Sequence, residues 1–272
     1  MVAAVSTKAP IRRVSIKQVA LPVEHGGWSF LFEPLVAGLA IAFSFAGSWI
    51  AFMMIGAFLL RRPLSVFAAQ AAAGRNNEYR SMSAMFAFAF AILFIIGFIG
   101  SVIFANAAHL LPLAVLPPLG LYQLYCDVYR QNRRLLPEIA GAVAMSASAA
   151  SIILAGTRDL SLAAAVWFFL AARLIASIVY VRNRLDLEKG KQYSFAVPIF
   201  VHEIGLLGVA VLAVAGKLPY LAVAAFVVLT IRAILGLSRY RTPAKAIRIG
   251  ILEVTFGVAS LAGLLVGYHA GI

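Results

Sequence analysis

Seven ionisable side chains sit inside long apolar runs of this 272-residue sequence: Glu33, Glu138, Arg173, His202, Glu203, Arg232 and Glu253. A charge placed at the centre of a bilayer costs about 2.5–3.5 kcal/mol on insertion scales, so each is a candidate either for function or for a partner that neutralises it. Glu203, Glu253 and His202 are the candidates for acid or base, since carboxylates and imidazoles exchange protons. Arg173, Ser177, Tyr180 and Arg184 follow i, i+4, i+7, i+11 spacing and so share one helix face. An arginine stripe of this kind binds an anionic head through fixed forks of N–H donors. Arg62, Arg173, Tyr180, Arg184 and Arg232, with Glu33, His25 and Glu138 beside them, form the candidate binding set. Four glutamates face two arginines inside the runs. Two carboxylates must therefore be protonated, be bound to a cation, or be paired with His202 or an arginine nearer the helix ends. A purely structural alternative pairs Arg173 and Arg232 with Glu203 and Glu253 as packing elements.

The elements that position these groups are long and apolar. The sequence is 63 % hydrophobic and 12 % charged, whereas soluble domains carry roughly 45–50 % apolar and about 25 % charged residues. About 20 mainly apolar residues cross ~30 Å of hydrocarbon. Nine such runs are expected near residues 28–45, 48–62, 82–105, 109–129, 135–156, 160–181, 193–216, 218–237 and 249–270. The fold class is thus all-α: a polytopic membrane protein of about nine transmembrane helices. Residues 1–24 form a basic arm and 25–272 a single transmembrane domain.

Lys and Arg number 23 against 10 Asp and Glu, and the excess alternates along the chain. The connections after the second, fourth, sixth and eighth runs carry Arg75 and Arg80; Arg130, Arg133 and Arg134; Arg182, Arg184, Lys189 and Lys191; and Arg239, Arg241, Lys245 and Arg248. The other connections hold only Arg158 and Lys217 as strong bases. With Lys8, Arg12, Arg13 and Lys17 in the arm, this pattern predicts a cytoplasmic amino terminus and an extracytoplasmic Ile272 in a bacterial inner membrane. The basic residues lie between apolar spans rather than on a soluble face, which argues for anionic lipid and against nucleic acid as the partner. All seven buried ionisable groups then fall in the cytoplasmic half, and a common polar cavity open to the cytoplasm is expected.

Pro112, Pro117 and Pro118 predict interruption of the fourth run, and Pro198 a kink in the seventh. The Gly141 to Ala149 stretch offers small residues for close helix packing. Trp28 reads as an interfacial anchor, His25 beside it as a ligand or proton carrier at the cavity mouth, and His109 and His269 as incidental. The single cysteine, Cys126, has no intrachain disulfide partner. No phosphate-binding glycine loop is present, and His202-Glu203 begins an HExxH pattern that Leu206 breaks.

The segment Leu21-Pro22-Val23-Glu24-His25-Gly26-Gly27-Trp28, with Arg62-Pro63-Leu64, Leu136-Pro137-Glu138-Ile139-Ala140-Gly141-Ala142 and Tyr180-Val181-Arg182, resembles the YwiC-like family of bacterial membrane proteins over essentially the full chain. The architecture is also similar to that of UbiA-type intramembrane prenyltransferases. Their two aspartate-rich motifs follow the second and sixth helices and hold Mg²⁺ on a prenyl diphosphate. That resemblance implies a UbiA-like helical bundle, an isoprenoid or quinone-like substrate, and Mg²⁺ at Asp186 and Glu188. The first motif departs from the pattern, because the stretch from Arg61 to Arg80 has Glu78 as its only acid. Arginines there would bind phosphate directly.

Three functions remain open on these residues. One is an enzyme or binding protein for an amphipathic anionic lipid, held by Arg173, Arg184 and Arg62 with Glu203 or Glu253 as acid or base. Another is a cation- or proton-coupled transporter using Glu33, Glu203 and Glu253. The last is a structural subunit of a membrane complex. The sequence leaves oligomeric state open.

Overall fold

A computed structural model describes residues 16–21, 27–129, 131 and 134–272. His25, the arginines at 130 and 133 and most of the basic arm lie outside them. The described residues contain helices and no strand. In chain order these are α1 (Ile16–Ala20), α2 (Gly27–Ile41), α3 (Phe45–Ala72), α4 (Glu78–Phe104), a 3₁₀ turn (Ala107–His109), α5 (Leu110–Leu113) and α6 (Leu116–Val128). The remainder are α7 (Leu135–Thr157), α8 (Leu160–Glu188), α9 (Ala196–Val214), α10 (Tyr220–Leu237) and α11 (Ala246–Ala270). Eight segments among the described residues are long and apolar enough to cross a membrane, and α2 is a shorter apolar helix. The protein is an all-α, multi-pass membrane protein.

The departures from the expected spans have local causes. The first run stops at Ile41 because Ser44 caps α3, its hydroxyl accepting from the Gly47 amide at 2.9 Å. With 15 residues, α2 is only about 22 Å long at 1.5 Å per residue. The second run continues past Arg61, Arg62 and Pro63 to Ala72, carried by alanines with the highest helix propensity. The sixth continues to Glu188, so Asp186 and Glu188 lie on the last turn of α8 rather than in a loop. The proline-rich fourth run is broken into the 3₁₀ turn, α5 and α6, as its prolines require. Pro198 produces no break. It occupies the third position of α9, within the first turn, where a missing N–H removes no helical bond.

The bundle is organised around α7 and α8, the two most buried long helices. Ala142, Ser146, Ala147, Ser148, Ala149 and Ser151 of α7 are all fully buried. Their small side chains let neighbouring backbones approach, as in membrane helix pairs generally. One apolar core joins α2, α7, α8, α9, α10 and α11 around Phe169 and Phe226, whose rings meet edge to face at 5.7 Å. A second joins α2, α3, α5 and α7 around Leu31, Ile50, Met54 and Phe58. Consecutive spans run in opposite directions, so the connections after α3, α6, α8 and α10 gather at one end, the basic end of the bundle.

Candidate functional site

The α8 stripe is the spine of the site. Arg173, Ser177, Tyr180 and Arg184 are all buried, with 3 %, 6 %, 7 % and 5 % of their surface exposed, as one shared face requires. Each meets a different set of neighbours. Arg173 donates from Nη1 to Glu33 Oε2 of α2 at 2.6 Å and from Nη2 to the Glu253 backbone carbonyl of α11 at 3.3 Å. Gly257, one turn beyond Glu253, leaves the room: a Cβ there would collide with both the guanidinium and the Glu33 carboxylate. The pair is therefore seated against bare α11 backbone.

One layer nearer the basic end, Arg232 of α10 donates to Glu253 Oε1. Its guanidinium lies 4.1 Å from the centre of the Tyr180 ring and 5.2 Å from that of Phe256, a stack that stabilises a desolvated cation. Its other terminal nitrogen approaches His202 Nε2 at 3.5 Å. A guanidinium only donates, so Nε2 is the accepting nitrogen and Nδ1–H donates to the Pro198 carbonyl at 2.7 Å. His202 thus belongs to the supporting layer behind Arg232. The electrostatic chain from Glu33 through Arg173, Glu253 and Arg232 to His202 ties five helices together. Along it, Arg173 Nε, Ser177 Oγ, Arg232 Nε and Glu253 Oε2 are buried without a hydrogen-bond partner among the described residues.

Arg184 closes the lower part of the stripe. It donates to the Gly236 carbonyl, to the Thr242 carbonyl at 2.6 Å, and pairs with Glu188 one turn along at 2.8 Å. Arg241 reaches the same carboxylate at 3.7 Å. Gly236 permits this packing, because any Cβ would run into the Tyr180 hydroxyl.

These residues border a cleft of about 430 Å³ between α10 and α11 at the basic end. Arg184, Arg232, Arg241 and Arg248 line it together with Tyr180, Tyr240 and Glu253, and Ile231, Leu235, Leu252 and Phe256 supply apolar wall. Glu253 and the adjoining Glu188 balance two of the four arginines. Two positive charges are left over, with Arg248 exposed.

The remaining expected site residues lie elsewhere. Arg173 and Glu33 neutralise each other above the cleft and do not line it. Arg62, on α3, lines neither this cleft nor the second cavity of the molecule. Glu203 is a correction: adjacent helical residues diverge by about 100°, so with His202 turned inward Glu203 is exposed on the outer face of α9 beside Ile204, not next to Glu253. The single common cavity is likewise divided. Glu138 pairs with Arg182 at 2.8 Å and lines a separate cavity bounded by α3, α4, α6 and α7. Arg61, held by Asp127 through bonds of 2.9 and 3.1 Å, lies there too. Sequence reasoning passed over Arg61 and Asp127 as a pair; their 66-residue separation gives no helical periodicity to read.

The donor set does not fit Mg²⁺. Among the described residues no three His, Cys, Asp or Glu side chains gather as metal ligands. Glu188 is engaged by two guanidinium groups, and an oxygen-seeking dication asks for carboxylates that are not so occupied.

Neither the curated proteins nor the solved structures yield a match to this chain. Residues 21–153, just under half of the chain, match the family described as YwiC-like protein, a stretch that holds α2 to α6 and most of α7, while the cleft between α10 and α11 lies beyond it.

Proposed function

We propose that this chain binds the anionic headgroup of an amphipathic membrane lipid, with an isoprenoid or similar apolar tail, at the cleft between α10 and α11. The observation that carries the reading is the cleft's composition: four arginines with an excess of two positive charges beside a wall of aliphatic side chains. Arg241 and Arg248 supply donors to a phosphate or diphosphate, by the bidentate geometry that guanidinium favours. Arg232 is held from behind by Glu253, His202 and Tyr180. Glu253 lines the cleft with one oxygen on Arg232 and the other without a hydrogen-bond partner among the described residues. It is the group placed to exchange a proton with a bound head. The chain lies in the bacterial inner membrane with its amino terminus and the cleft mouth on the cytoplasmic side, as the alternation of basic connections favours.

The test is binding of farnesyl diphosphate and farnesol to purified protein in mild detergent by isothermal calorimetry. Binding of the diphosphate, weakened by added salt and by Arg248→Gln, supports the reading. Equal binding of both, indifferent to salt and to Arg248→Gln, removes the cleft as a headgroup site.

A further inference from the structure

The second cavity, about 710 Å³, is chemically the opposite of the cleft. Its walls are apolar, with Met53, Phe94 and Leu113 among them, and its polar lining residues are Arg61, Gln123 and Glu138. These three lie at one end. Asp127, the partner of Arg61, is in the last turn of α6, Glu138 is in the first turn of α7, and the Gln123 amide reaches the Pro137 carbonyl beside it. The two charged lining residues each have an opposite partner, Arg61 with Asp127 and Glu138 with Arg182. Among the described lining residues, then, neither charge stands without an opposite partner. What remains is hydrogen-bonding capacity at Gln123, whose amide makes one long bond of 3.4 Å.

We infer that this cavity is a second ligand site, for an apolar chain ending in an uncharged, hydrogen-bonding head such as a quinone ring or a long-chain alcohol. Its size suits such a molecule. An engineered apolar cavity of about 150 Å³ stays dry and holds one benzene, so this volume takes a chain of about five such groups, within the usual range of ligand pockets. Every lining residue falls between 27 and 145, inside the matched stretch 21–153. The site thus belongs to the portion the chain shares with YwiC-like proteins, and it stands apart from the cleft in both place and chemistry.

Decyl-substituted benzoquinone and farnesol are the probes, with farnesyl diphosphate as the charged control. Trp28 reports occupancy, its ring meeting the cavity-lining Phe58 edge to face at 5.1 Å. Quinone binding should quench its fluorescence, and Trp28→Phe should remove that component. Gly120 lines the cavity, and a Cβ on it meets nothing within 4 Å. Gly120→Phe therefore fills the space and should weaken quinone and farnesol at least about tenfold, leaving farnesyl diphosphate unchanged. Ala57→Phe fills the cavity from α3 and provides the same reading should Gly120→Phe fail to fold. Loss of both neutral ligands supports the site. Loss of the quinone alone, farnesol not binding, supports it and assigns a ring-bearing head. Neutral ligands that bind equally to wild type and both filled variants, or a diphosphate lost in parallel with them, overturn it. Arg248→Gln is scored with the diphosphate alone, so failure of the cleft is read separately from failure of this cavity.

Discussion

Arg173 and Glu33 meet at 2.6 Å across 140 residues of sequence, with 4 % and 8 % of their side chains exposed. The contact joins α8 to the short α2 in the interior of the bundle. Removing one member of a buried pair leaves an uncompensated charge and costs about 3–5 kcal/mol, while replacing both by apolar residues is often neutral or stabilising. Arg173→Met and Glu33→Leu should each destabilise by that amount, and the double variant should recover most of the loss. Unfolding free energies of the detergent-solubilised protein, arranged as a double-mutant cycle, check this. Additive losses would show that the two side chains do not act as a unit.

Gly257 extends the same argument to α11. A methyl group at this position cannot coexist with the Arg173 and Glu33 head groups as placed. Gly257→Ala should cost about 3–5 kcal/mol in the wild-type background by breaking the pair. In the Arg173→Met, Glu33→Leu background it should cost much less, because residues sharing one site are not additive. Equal losses in the two backgrounds would assign the glycine to backbone packing alone.

Arg184 presents a different energy balance, because its partners are carbonyls as well as a carboxylate. It holds the Gly236 carbonyl at the end of α10 and the Thr242 carbonyl beyond it. Arg184→Lys keeps the charge and loses the fork, so one carbonyl is left unsatisfied at a cost of about 1–3 kcal/mol. Hydrogen exchange should rise first in residues 237–245, ahead of α8 itself. Unchanged exchange there would separate Arg184 from the order of that connection.

Much of this arrangement could be read from residue order. Amphipathic spacing put Arg173, Ser177, Tyr180 and Arg184 on one face because helical geometry is local. The apolar runs marked the spans because backbone groups in hydrocarbon must be satisfied within a helix. Pairing was harder to read, since it depends on which helices become neighbours. Arg173 takes Glu33 from α2 rather than an acid of α9 or α11, and Glu138 takes Arg182. Glu203 looked equivalent to His202 from depth alone, yet one step round the helix turns it outward. The Pro198 expectation failed for a similar reason, because the effect of a proline depends on where the helix starts.

The cleft carries a prediction about salt. Arg241 and Arg248 border it, whereas Arg173 is sealed behind Glu33. Arg241→Gln and Arg248→Gln should each weaken farnesyl diphosphate by about tenfold, the scale of one charge-assisted hydrogen bond. Both should also flatten the fall of affinity with ionic strength, since screened charges carry that dependence. Arg173→Met paired with Glu33→Leu should leave both properties close to wild type. Calorimetric titrations at low and physiological salt decide it, and loss of binding in the paired variant would return Arg173 to the binding set.

The single cysteine makes the proposed orientation directly measurable. Cys126 is free and buried, with 2 % exposure, so Cys126→Ala provides a cysteine-free background at the cost of a small packing loss. Lys189→Cys lies in the basic connection after α8, and Lys217→Cys in the connection between α9 and α10 at the opposite end; both positions are exposed. The excess of Lys and Arg in the even connections predicts that Lys189→Cys faces the cytoplasm. A membrane-impermeant maleimide added to intact cells should therefore label Lys217→Cys and spare Lys189→Cys until the membrane is opened. The reverse pattern would place the arginine cleft on the extracytoplasmic side, where a cytoplasmic lipid diphosphate could not reach it. The headgroup would then have to come from the outer leaflet.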